Sequence, residues 1–259
     1  MTVKPSELRK RLRAEFKEFI ERPHRTKVHS KAAGDMLRDF FKQSRRGAAD
    51  AWDLLDELPD KGPLTAAALK SVLRDQLVRL QSNRCCFCRR WLVNTAYARP
   101  IEHILPRSPF KQFSLHYWNL AIACTDCNSK KTNTVWGKIN TGVRRYPTPE
   151  SITDWFHPRF HDYDEHVRFL RLESNGLAVV VYVGLTVQGR ALCEALLQHI
   201  AAKEMLIGNN PALNDCVNAL NENGDRFNAD VAHKLMEFQA ELGASVVSKM
   251  ASTPPLPSP

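Results

Sequence analysis

Arg84-Cys-Cys-Phe-Cys88 and, further on, Cys124-Thr-Asp-Cys-Asn-Ser-Lys-Lys131 are the stretches on which the reading of this chain turns. Each contains a Cys-x-x-Cys pair, Cys85/Cys88 and Cys124/Cys127, and the second pair opens 36 positions after the first closes. A pair at that spacing forms a tight knuckle that aims two thiolates at one point, and two knuckles complete the tetrahedral shell of a Zn²⁺ ion. Protein fills every position of such a shell, so its role is structural and no place is left for substrate. Two alternatives stand beside zinc: unrelated buried cysteines, and an iron–sulfur cluster, which four thiolates would also serve. Zinc is the usual occupant of two short knuckles flanking an insert. Cys86 falls between ligands and points elsewhere, while Cys193 and Cys216 sit in helical patterns and read as core. Seven cysteines, an odd number, in a chain with no secretory start favour metal binding over a disulfide framework.

Between the knuckles stands Arg99-Pro-Ile-Glu102-His103-Ile-Leu-Pro106-Arg107, an acid beside an imidazole at the end of an apolar, strand-like piece. The carboxylate can ligate a hard cation, and a neutral imidazole can take a proton from water near pH 7. Chance produces a Glu-His pair often. Here it is followed by Trp118-Asn119-Leu120 and by Asn128 and Lys131 directly after the last cysteine. Charge gathers in the same place. Arg84 to Arg145 holds eleven basic residues against two acids, Glu102 and Asp126, so this segment alone carries the chain's whole net charge of +9. A basic patch of that kind can be a solvated face or can hold nucleic-acid phosphates.

In order and spacing these residues resemble the HNH nucleases whose fingers are held by zinc. The shared pattern is Cys85/Cys88, Glu102-His103-Ile-Leu-Pro106, Asn119-Leu120, Cys124/Cys127, Asn128 and Lys131. The resemblance implies a ββα-metal finger in which His103 is the general base and Glu102 and Asn128 hold a catalytic metal. Asn119, counted with the catalytic set, would brace the loop that orients His103. Glu replaces the Asp common at the first ligand, and Asn replaces the His of many members at the last. Both offer oxygen, which favours Mg²⁺ or Mn²⁺. Arg107, Lys130, Lys131, Arg144 and Arg145 are expected to grip phosphates without reading bases. A second resemblance lies outside the finger. Trp155–Phe169 and Gly184–Arg190 are similar to the HNH subunits of Septu-type bacterial anti-phage systems, which implies an ABC-type ATPase partner; DNA is the expected target, with RNA as the alternative substrate. The rival class is a non-catalytic zinc-finger module that binds nucleic acid or protein.

The rest of the chain frames the finger. The fold class expected is α+β, mostly helical: an N-terminal helical region (1–82), the HNH domain with its zinc (83–147), a C-terminal hairpin-plus-helices region (148–250) and a disordered Pro-rich tail (251–259). Leu8, Leu12, Phe16 and Ile20 predict a first helix ended by Pro23. Further helices are expected at 32–43, with Met36, Phe40 and Phe41 inward, at 48–58, and after Pro63, with Leu69, Val72, Leu73, Leu77 and Leu80 on one stripe. A hairpin at 167–183 turning on Asn175-Gly176 and helices at 188–206 and 228–242 follow. The His-, Asp- and Glu-rich stretch 157–166 reads as a turn with surface histidines, or as a further metal site. No run approaches the ~18 apolar residues of a membrane span, and the start is charged. A soluble, cytoplasmic protein is the expectation.

Overall fold

The computed structural model describes residues 5–46, 50–92, 99–174 and 177–209. The helix expected at 228–242, the tail, the Asn175-Gly176 turn and Cys216 lie outside them. The described residues are mixed α and β, with two small antiparallel sheets among them. It divides into two compact units, Met1–Asp162 and Tyr163–Pro259. The first contains both the helical region and the cysteine-rich segment.

In that unit α1 (Pro5–Glu21) buries Leu8, Leu12, Phe19 and Ile20. Phe16 stands at the rim, 36% exposed. A strict four-residue repeat drifts round a helix of 3.6 residues per turn, so Phe19, seven after Leu12, replaces Phe16 on the inner face. Helix α2 (Lys27–Arg45) starts before the expected Ala32 and buries Ser30, Ala33, Gly34, Leu37 and Ser44. Met36, Phe40 and Phe41 are only half-buried. Close approach decides this. A Cβ on Gly34 would lie 2.4 Å from the Ile20 carbonyl oxygen, so the small-residue face is the one that packs on α1. Helix α3 (Ala51–Asp56) is capped by Asp50, which accepts from the Trp52 amide at 2.9 Å. Helix α4 (Ala66–Leu80) is capped by Thr65 and buries Leu69, Leu73, Gln76 and Leu77; Val72 is half-buried and Leu80 exposed.

The cysteine-rich segment then contributes β1 (Ile101–His103) and β2 (Leu120–Ile122), antiparallel with Glu102 opposite Ala121 and His103 opposite Leu120, followed by α5 (Thr125–Lys131). Gln81, just past α4, docks this hairpin. Its amide donates to the Ile122 carbonyl at 2.8 Å and accepts from the Ile122 N–H at 2.7 Å, satisfying one backbone edge of β2.

The second unit comprises α6 (Tyr163–His166), β3 (Val167–Ser174) and β4 (Leu177–Gly184), the two strands antiparallel with Val167 opposite Gly184. Next come α7 (Val187–Leu192), one π-helical turn over Cys193–Leu197, and α8 (Gln198–Asn209). Leu192, Leu196, Leu197 and Ile200 are buried, as their spacing predicts. Gly189 is required by contact, since a Cβ there would meet the His166 carbonyl oxygen at 1.8 Å. Among the described residues no helix is long and apolar enough to cross a membrane.

Candidate functional site

The four cysteines of the two pairs come together. One sulfur from each of Cys85, Cys88, Cys124 and Cys127 lies within 4.8 Å of the others, the only group of Cys, His or acidic residues so placed among the described residues. Local structure explains the convergence. Arg84 and Trp91 pair across the first knuckle, and Arg89 turns the chain with a φ of 60°. The second knuckle opens α5. Cys124 is its N-cap, with Sγ accepting from the Cys127 amide at 3.5 Å, while the Cys124 amide donates to Cys85 Sγ at 3.2 Å. Hydrogen bonding around Cys124 holds the Cys88 and Cys127 thiols well above the ordinary range, and burial does the same to Cys85. Cys124 is driven far below it by hydrogen bonds from Cys127, Cys85 and Cys88 and by Arg90, which also pairs with Asp126 at 2.8 Å. Such a set is compatible with a structural zinc site, where the ion replaces the remaining thiol protons. Cys86 is buried outside the group.

His103 ends β1. Its Nε2 lies 2.8 Å from the Ser114 carbonyl oxygen, which can only accept, so Nε2 carries the proton. Nδ1 is left with its lone pair and has no partner among the described residues. The ring meets Trp52 edge-on at 4.7 Å. Burial, chiefly, lowers the His103 pKa to about 4, so the imidazole is neutral at pH 7. The loop that supplies Ser114 is held by Asn119, which is fully buried. Its Oδ1 accepts from the Leu105 amide at 2.7 Å, and its Nδ2 donates to the carbonyls of Leu105 and Phe113, both at 3.0 Å. Asn119 therefore braces the segment that orients His103.

Glu102 faces the other side of β1 and is buried. Its Oε1 lies 2.6 Å from the Lys131 ammonium, which also donates to the His103 carbonyl at 2.9 Å. Burial raises the Glu102 pKa and Lys131 opposes that rise. This overturns one expectation. Lys131 is not a surface phosphate contact: it is 2% exposed and already paired. Asn128, one turn earlier on the same face of α5, is half-buried and its side chain has no partner among the described residues. Arg107 is likewise engaged, pairing with Asp50 at 2.9 Å and with Asp53. Lys130, Arg144 and Arg145 are exposed and carry no ion pair among the described residues.

Several contributors escaped the sequence reading. Ser114 and Trp52 touch His103. Asp50, its carboxyl held low by hydrogen bonds from Ser114 and Arg107 that outweigh burial, ties α3 to the same loop. Nothing local marks these residues, since each reaches the site from a distant element. In stretch 157–166, His157 is fully buried and hydrogen-bonded, neither a surface histidine nor part of a metal group among the described residues. Set against protein-family models, curated proteins and solved structures, the chain matches none. What the site can do is read from its own chemistry.

Proposed function

We propose that this chain is an HNH-type, metal-dependent endonuclease that hydrolyses phosphodiester bonds, in DNA before RNA, on a ββα finger stapled by zinc. The observation that carries the reading is the state of His103. Its Nε2–H is committed to a carbonyl, Nδ1 is an unpartnered base, and the residue beside it in β1 is a carboxylate. His103 would take the proton from an attacking water. Glu102 and Asn128 would be the donors for one Mg²⁺ or Mn²⁺: the second Glu102 carboxylate oxygen and the Asn128 side chain have no partner among the described residues. Bound there, the metal would supply neutralisation of the phosphate and of the departing oxygen. Lys130, Arg144 and Arg145 would hold flanking phosphates.

One observation favours the rival reading, a non-catalytic zinc-finger module. Lys131 already neutralises Glu102, so that carboxylate does not require a metal. His103→Ala separates the two. The variant should fold, keep its zinc and bind DNA, yet lose about 10²–10⁴-fold in Mg²⁺- or Mn²⁺-dependent cleavage. An H103A protein as active as wild type, with contaminating nuclease excluded, would refute the mechanism. We place the activity in bacterial anti-phage defence beside an ABC-type ATPase on the resemblance to Septu-type subunits.

A further inference from the structure

Behind the Asn119 brace runs a second row of polar groups, the buried His157 and the half-buried Tyr146, that the reading above leaves unused. His157 Nδ1 accepts from the Arg159 amide at 3.2 Å, so in the neutral ring the proton sits on Nε2. That Nε2 is 2.8 Å from the Tyr146 hydroxyl oxygen and donates to it. Tyr146 is thereby left to donate its own O–H to Asn119 Oδ1 at 3.1 Å or to the Trp118 carbonyl at 3.3 Å. The amide orientation of Asn119 is unambiguous, because a flipped carboxamide would set N–H against the Leu105 N–H at 2.7 Å. From Asn119 Nδ2 the row reaches the Phe113 carbonyl at 3.0 Å, one residue before the Ser114 carbonyl that accepts from His103. Both rings are stacked on a neighbour. His157 stacks on Phe160 at 3.9 Å, and Tyr146 stacks on His116 at 4.2 Å.

We infer that Tyr146 and His157 are positioning residues for His103, holding the Asn119 carboxamide so that the 113–114 carbonyls keep the imidazole in its Nε2–H tautomer with Nδ1 free. The inference rests on the reading of His103 as the base. Its test has two arms, so that the two can fail separately. In the first, steady-state cleavage of plasmid DNA with Mn²⁺ is compared for wild type, Tyr146→Phe, His157→Ala and His157→Gln. Tyr146→Phe and His157→Ala should each lower kcat roughly tenfold at unchanged KM and zinc content, since small misplacements of a catalytic group are expensive in rate. His157→Gln keeps an N–H donor and should recover most of the loss. The double variant Tyr146→Phe/His157→Ala should be no worse than either single one, as expected of residues acting in one row. The second arm reads the His103 imidazole by ¹⁵N NMR in the zinc-loaded protein, without added Mg²⁺, Mn²⁺ or substrate. Wild type and His157→Gln should show one slowly exchanging Nε2–H tautomer, and Tyr146→Phe and His157→Ala a mixture with faster exchange. A Tyr146→Phe protein with wild-type kcat and an unchanged His103 signal overturns the inference. A wild type inactive with every divalent metal overturns the nuclease reading instead, while the NMR arm still decides the positioning role. Should Tyr146→Phe fail to fold, the two His157 variants carry the same comparison.

Discussion

Lys131→Met tests the departure from the expected phosphate contact most directly. The ammonium is fully enclosed, 2.6 Å from Glu102 Oε1 and 2.9 Å from the His103 carbonyl. Methionine keeps much of the stem's volume, so the loss is electrostatic rather than a cavity. Removing one partner of a buried pair leaves the other charge unpaired, which costs about 3–5 kcal/mol. The orphaned His103 carbonyl adds about 1 kcal/mol. Glu102 limits the damage by taking up a proton, because burial already raises its pKa. A net loss of about 3 kcal/mol is expected, a large share of the ~5–15 kcal/mol that stabilises a typical domain. Denaturant unfolding of the zinc-loaded protein measures it, and Glu102→Gln combined with Lys131→Met should restore part of it. DNA binding at graded salt supplies the contrast. Arg144→Ala, at an exposed cation, should flatten the salt dependence by about one counterion with little change in stability. A Lys131→Met protein within ~0.5 kcal/mol of wild type, with a flattened salt slope, would show that Lys131 is a surface contact after all.

Elemental analysis should find close to one zinc per chain, and Cys88→Ser or Cys124→Ser should fold poorly; stoichiometric zinc in a protein lacking Cys85, Cys88, Cys124 and Cys127 would end that assignment. Acid should destabilise the protein through its enclosed histidines. Burial lowers the His116 pKa from 6.5 to about 3, so below pH 6.5 the unfolded chain binds a proton that the folded chain refuses. Stability is full above that pH and falls by up to about 1.4 kcal/mol per unit as pH drops toward 3. The Tm should therefore decline between pH 7 and pH 5, and His116→Phe, which keeps the stacking on Tyr146, should show a shallower decline; equal slopes would count against it. Co-expression with an ABC-type ATPase encoded alongside should give one complex on size exclusion, and separate elution at micromolar concentration would argue against the partnership.

The sequence reading reached furthest where chemistry is set by neighbours in the chain. A Cys-x-x-Cys turn aims its sulfurs through local geometry, so the four-thiol cluster was legible from spacing. Glu102 and His103 fall on opposite sides of β1 because strand side chains alternate, whereas Asn119 was picked out only through the resemblance. Helix existence was equally legible within the described residues. Which face of each helix turned inward was less so. On α1 and α2, the drift of a four-residue repeat and the close approach at Gly34 moved the buried set away from the largest apolar residues.

The sequence alone determined the two cysteine pairs, the Glu-His pair and the basic character of the segment around them, because each is a property of adjacent residues or of composition. Only the tertiary structure decided which of those charges remain free. Lys131 and Arg107 look like Lys130 and Arg144 on paper, yet the first two are spent on Glu102 and on Asp50 and Asp53. It was equally the fold that brought Trp52, Ser114, Tyr146 and His157 to one brace from positions far apart in the chain. Burial is the physical reason. A polar group taken out of water must find a partner, and long-range packing, not local sequence, settles which partner it finds.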